Sequence, residues 1–121
     1  MKIILTQYGK IPAKKNNMRV YNNRLVKPKS IKSFEGELRL AAINHMTMIG
    51  CRTIDGNVKL NLDVTFGDRR RRDLQNCFGS ICDALNDVCY HDDSQITDLS
   101  ATKQYIKDIW KYTITIQSLG E

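Results

Sequence analysis

Residues 67–93 read GDRRRRDLQNCFGSICDALNDVCYHDD. Four consecutive arginines, Arg69 to Arg72, run directly into Asp73, and the stretch closes on Asp92 and Asp93. Between them the apolar residues fall at Leu74, Cys77, Phe78, Ile81, Cys82, Leu85 and Val88. That i, i+3, i+4, i+7 spacing predicts an amphipathic helix sustained over four turns. Asp73 stands where the N-cap of this helix would stand, which gives it a structural explanation beside any chemical one. Cations that can grip phosphate and acids that can hold a divalent metal share one short piece of chain. Nucleic-acid backbone chemistry draws on that pairing.

Upstream of this stretch, Val58, Leu60, Leu62, Val64 and Phe66 alternate with Lys59, Asn61, Asp63 and Thr65. The period of two predicts a strand with one packed face, ending at Gly67. Before it, Ile31, Phe34, Leu38, Ala41, Ala42 and Met46 predict a helix over about 31–48, with Ser30 or Ser33 available to cap it. His45 lies near its apolar stripe and reads as a boundary histidine, not a ligand. Residues 2–8 form a first strand, and RVYNNRLVK (19–27) forms a hairpin about Asn22-Asn23 that carries Arg19, Arg24 and Lys27 outward. The loop GKIPAKKNN (9–17) offers Lys14, Lys15, Asn16 and Asn17 as donors, although a solvated turn would look the same. After Asp93, residues 95–105 and the alternating IWKYTITIQS (109–118) read as strands. The expected architecture is α/β in the α+β sense: one small domain over residues 1–121, with two main helices packed on a mixed sheet.

The chain has 121 residues, enough for one modest core. At 41% hydrophobic and 26% charged it is neither disordered nor fibrous in composition. No apolar run is long enough to span a membrane, and the first ten residues hold too short an apolar core for a signal peptide. A cytoplasmic location is expected. The four cysteines, Cys51, Cys77, Cys82 and Cys89, include no C-x-x-C pair and no zinc spacing with His91. They read as reduced, buried thiols. The net charge is +6, and it is unevenly spread. Nine Lys or Arg and no acid precede Glu35, whereas six Asp and no Lys or Arg occupy residues 73–102. A basic half beside an acidic pocket suits a polyanionic substrate processed with carboxylate-held cations.

Phosphodiester hydrolysis at neutral pH is commonly assisted by one or two such cations, and Mg²⁺ and Mn²⁺ prefer oxygen ligands. Asp73 follows a strand end, and a later strand returning beside the first could bring Asp92 or Asp93 next to it. Extended arginines at 69–72 would point alternately, some to phosphate and some to the acids. An isolated arginine tract would be a generic nucleic-acid patch, but this one abuts a strand end, an acid and a helix.

The run Asp68-Arg-Arg-Arg-Arg-Asp73-Leu74, then Asn76, Asp83-Ala84-Leu85 and Asp92-Asp93-Ser94-Gln95, resembles the RusA family of Holliday-junction endodeoxyribonucleases. The loop from Pro12 to Asn17 and residues 29–40 resemble the family's N-terminal half. The likeness implies a homodimer, bacterial or phage-encoded, that binds four-way DNA junctions and makes paired symmetric cuts with Mg²⁺ or Mn²⁺. It places the metal and catalytic positions at Asp73, Gln75 and Asp93, with Asp92 beside them as a further metal candidate. The DNA-binding positions fall at Lys14, Lys15, Asn16 and Asn17, and at Arg69, Arg70, Arg71, Arg72 and Asn76.

Two positions depart from the family pattern. An acid of the family is Gln75 here, and a lysine one helical turn later is Gly79. As an i, i+4 pair they alter one patch, removing a negative charge and a cation that could stabilise the transition state. Asp83 continues the same face. Two readings follow: a nuclease whose site works with Gln75, or a junction-binding protein that cuts poorly or not at all. A third, binding of DNA without regard to branching, predicts equal affinity for linear and four-way forms. Tyr8, Tyr21 and Phe34 form no obvious platform for stacked bases.

Overall fold

The computed structural model describes residues 1–12, 19–21, 24–26, 29–70 and 74–120, with backbone only for residues 19–21, 24–26 and 76. In chain order the elements are β1 (Lys2–Tyr8), β2 (Arg19–Tyr21), β3 (Arg24–Val26), α1 (Lys29–Ile49), β4 (Val58–Phe66) and α2 (Leu74–Leu85). A 3₁₀ turn (Asp93–Gln95), β5 (Ile96–Tyr105) and β6 (Lys111–Ser118) complete the chain. The main sheet has the order β1-β6-β4-β5 and is mixed: β6 pairs antiparallel with both β1 and β4, whereas β4 and β5 run parallel. A parallel neighbour needs a long crossover, and α2 with the segment after it supplies one. β2 and β3 form a separate antiparallel ribbon in which Tyr21 faces Arg24. Its turn, and the expected outward placement of Arg19, Arg24 and Lys27, lie outside the described residues and side chains.

The period-two alternation produces a sheet with one dry face. Ile3, Leu5, Leu60, Leu62, Ile114 and Ile116 are all buried, and Phe34 of α1 meets Tyr112 of β6 with ring centroids 6.0 Å apart. Each such aliphatic side chain contributes about 1.5–3 kcal/mol on burial. Phe34, Leu38, Ala42 and Met46 bring α1 into that core, and Cys77, Ile81, Ala84 and Leu85 bring α2. His45 is half-buried at the boundary. The opposite sheet face is polar. There Ser100 Oγ donates to Asn61 Oδ1 at 2.6 Å, and Lys59 pairs with Asp98 at 3.9 Å.

The second helix is shorter than its apolar spacing predicts. It ends at Leu85 because the Leu85 carbonyl accepts both Val88 N (3.1 Å) and Cys89 N (3.2 Å), with Asp87 in the left-handed region at φ 64°. Val88 still packs in the core, but from a turn. Arg39 of α1 reaches over this end and donates to Ala84 O (3.1 Å) and Asn86 O (3.0 Å). A cation thus satisfies carbonyls that a helix C-terminus leaves orphaned. The cysteines are free thiols, with Cys51, Cys77 and Cys89 buried and Cys82 half-buried.

Candidate nuclease site and DNA-facing end

Asp73, Lys14, Lys15, Asn16, Asn17, Arg71 and Arg72 lie outside the described residues, as does the side chain of Asn76. What is described is the frame around them. Because β4 and β5 run parallel, Asp93 precedes the strand end that pairs with Val58, whereas Gly67 follows the opposite end of β4. Val58 and Phe66, the two ends of β4, are eight residue steps apart, about 26 Å. The strand return therefore sets Asp92 and Asp93 toward the opposite end of β4 from Gly67; their expected meeting with Asp73 lies outside the described residues, because Asp73 does. Asp93 lies near Cys82 of α2.

The motif Asp92-Asp93-Ser94-Gln95 is a capping box. The Asp92 carboxylate accepts from Ser94 N at 3.0 Å, and Gln95 Oε1 accepts from His91 N (2.7 Å) and Asp92 N (3.0 Å). The other end of the Gln95 amide donates to Ile54 O and Gly56 O, each at 2.8 Å. Beside it, His91 Nε2 lies 2.7 Å from Asp55 Oδ1. The Ser94 hydrogen bonds hold the Asp92 carboxyl below its ordinary pKa. Asp92 is thus engaged in holding the turn. Asp93 is exposed, and its carboxylate makes no hydrogen bond or ion pair among the described residues.

The Asp93 charge reaches the turn of α2 at Cys82. Burial pushes the Cys82 thiol up to about 11, and the nearby Asp93 carboxylate adds to that rise against an opposing hydrogen bond from Tyr90. Tyr90 is wholly buried, and its hydroxyl donates to Cys82 O at 2.9 Å, tying the helix to the turn that precedes Asp93. Cys82 lies seven residues after Gln75 and three after Gly79, so the three share one stripe of α2. Gln75 and Gly79 are exposed, and a Cβ built at Gly79 meets nothing within 4 Å. Asp93 lies near Cys82, and Gly79, where the family has a lysine, is open. Asp83 is half-buried and already engaged in an interaction.

The other end of the sheet gathers the cations. Asp68 Oδ1 accepts from Arg70 N at 3.2 Å, so residues 68–70 turn and do not run extended with alternating arginines. Arg69 lies 4.6 Å over the Tyr105 ring, and Lys10 lies 4.6 Å over Trp110. Both spacings are those of cation–π contacts. Ser80 of α2 donates to Pro12 O at 2.6 Å, which anchors the start of the lysine–asparagine loop to the helix. Tyr105 and Trp110 were not singled out by the sequence reading. Period-two alternation assigns Trp110 to a strand, and only the packing of Gly67 against its indole shows why it sits here.

The sequence model of the family Endodeoxyribonuclease RusA matches residues 9–117 of the 121-residue chain. The chain belongs to the RusA endodeoxyribonuclease family. The match spans both the capping-box turn and the cationic end of the sheet. Comparison with curated proteins yields no match. RusA enzymes act on branched DNA and generally depend on a divalent metal. Among the described residues no three His, Cys, Asp or Glu side chains converge as a metal group, and no helix is long and apolar enough to cross a membrane.

Proposed function

We propose that this protein is a homodimeric, cytoplasmic resolvase of bacterial or phage origin that cuts four-way DNA junctions in pairs. Asp73 and Asp93 are its metal-holding carboxylates, and Gln75 supplies a neutral oxygen. The observation that carries this reading is the division of labour in the capping box. Asp92 and Gln95 are engaged in fixing the turn, and the Asp93 carboxylate is left exposed, with no hydrogen bond or ion pair among the described residues. This donor set is all oxygen, which suits a hard divalent cation such as Mg²⁺ or Mn²⁺. When bound, the cation polarises the phosphoryl oxygen and acidifies an attacking water. The chain's own part is positional. The turn holds Asp93, Arg69 and Arg70 are exposed to meet phosphate, and Lys14 to Asn17 with Arg71, Arg72 and Asn76 extend the DNA contact.

A labelled synthetic four-way junction, incubated with Mn²⁺ or Mg²⁺, tests this directly. Paired symmetric nicks that disappear in Asp73→Asn and Asp93→Asn are the expected result. With Gln75 in place of a carboxylate, Mn²⁺ should support faster cutting than Mg²⁺; equal rates would count against Gln75 as a ligand. The open space over Gly79 admits a longer side chain, so Gln75→Asp with Gly79→Lys should fold and cut faster than wild type. Cutting by that double variant alone would make the natural protein a junction binder.

A further inference from the structure

The β5–β6 turn, residues 106–110, carries features that neither the fold nor the metal site uses. Ile106 and Ile109 are 39% and 41% exposed, on either side of Lys107 and Asp108. The turn is held by backbone groups: Ile106 N donates to Phe66 O (3.1 Å), Asp108 N to Gly67 O (2.9 Å) and Ile109 N to Ile106 O (3.0 Å). Gly9 N donates to Trp110 O at 2.8 Å from the end of β1. Two β-branched apolar side chains are thus presented to solvent on a braced tip. That tip lies directly against the residues leading into the arginine tract.

Charge says what the tip meets. Lys10, Arg69, Arg70 and Lys107 are exposed around it, against the acids Asp68 and Asp108. Apolar side chains ringed by cations suit a polyanion that also offers apolar faces, which describes nucleic acid whose bases are accessible. Aliphatic wedges enter base steps that are already unstacked at low cost. A duplex hides its base faces; a branch point exposes them. We propose that the 106–110 turn is a wedge, with Ile106 and Ile109 packing against bases at the DNA branch point while Arg69 and Lys107 hold the flanking phosphates. The wedge rests on the branched-DNA reading above and adds to it the element that discriminates branched from linear DNA.

The test uses an immobile four-way junction with 2-aminopurine at the branch point and a linear duplex of the same arm sequence, in Ca²⁺ at matched salt. Wild type is expected to bind the junction more tightly than the duplex and to raise 2-aminopurine fluorescence. Ile106→Ser with Ile109→Ser should lose the fluorescence rise and at least tenfold in junction affinity, with duplex affinity unchanged. Ile106→Val with Ile109→Val should retain both signals. Lys107→Gln should weaken junction and duplex alike and reduce the salt slope by about 0.9, the value for one phosphate contact. Thermal melts should show every variant folded at the assay temperature. A wild type without junction preference sinks the branched-DNA reading itself. A wild type that prefers the junction, with a serine pair that matches it, overturns the wedge alone. So does a serine pair whose loss follows dissociation into monomers by sedimentation, since the tip is then a contact between copies.

Discussion

Gly67 has no room for a side chain. A Cβ there would collide with the Trp110 indole, and the indole is confined by the edge of Phe66, with ring centroids 6.3 Å apart, and by Lys10 above it. Gly67→Ala should therefore cost about 1–3 kcal/mol by overpacking. It should also shift the emission of Trp110, the one tryptophan in the chain, before any denaturant is added. A variant with wild-type urea midpoint and spectrum would show that the ring moves freely. Gln95 is the second residue whose role depends on its surroundings. Its amide makes four hydrogen bonds, two to main-chain carbonyls of residues 54 and 56 and two from the amides of residues 91 and 92. Gln95→Ala should lose about 2 kcal/mol, since each net hydrogen bond is worth about 0.5–1.5 kcal/mol and the loop relaxes in part. Junction cutting should fall further than stability explains, because the same bonds orient Asp93. Cutting at the wild-type rate in folded Gln95→Ala would remove the turn from the catalytic argument.

Among the elements, α2 is held from elsewhere at its middle and at its C-terminal end. Ser80 in mid-helix binds the loop at Pro12, while Arg39 of α1 takes the carbonyls of Ala84 and Asn86 at the C-terminal end. Hydrogen bonds from a charged donor contribute about 1.5–3 kcal/mol, and a cation at a helix C-terminus gains from the dipole. Arg39→Met keeps the aliphatic stem and removes the charge, so it should lower stability by about that amount in urea titration. The helix end should also show faster amide exchange. An unchanged exchange rate at residues 84–89 would mean the turn at Asp87 caps the helix unaided. By contrast β5 contributes pairing but little core: its residues are exposed or half-buried along its length, although it sits against the most buried strand of the sheet.

Across the whole molecule, burial of protonated thiols and phenols sets a pH limit. Burial pushes Cys89 up to about 12 and Cys82 up to about 11 from an ordinary 9.0, and Tyr112 up to about 12 from 10.0. Below pH 9 the native and unfolded chains both keep these protons. Above it the unfolded chain releases them first and so binds fewer, which means that stability falls as pH rises toward 12. For the wholly buried Cys89 the slope is at most about 1.4 kcal/mol per pH unit. Urea midpoints measured from pH 8 to 11 should decline, and Cys89→Ala should decline less steeply. A flat profile would mean that the thiols ionise in place. The same protonation predicts that native thiols react slowly with iodoacetamide at pH 8 and quickly once unfolded.

Much of this architecture is local and was legible in the chain. The alternation over residues 58–66 is a strand because only a period of two puts Val58, Leu60, Leu62 and Val64 on one dry face, and the 3.6-residue period of 31–48 is a helix for the matching reason. The run from Asp68 to Gln95 also read correctly as RusA-like. What the chain alone left open depends on direction and contact between distant segments. A strand returning after α2 could run either way along β4; the parallel choice decides which sheet end receives Asp93, and sets it near Cys82 of α2. Side-chain type did not separate Asp92 from Asp93, because the distinction lies in which carboxylate caps Ser94. The platform of Tyr105, Trp110, Lys10 and Arg69 was equally invisible, since its members come from the ends of four strands. Periodicity records which face of an element is dry. Only the closed sheet, where hydrogen-bond register fixes every end against its neighbour, decides which ends meet.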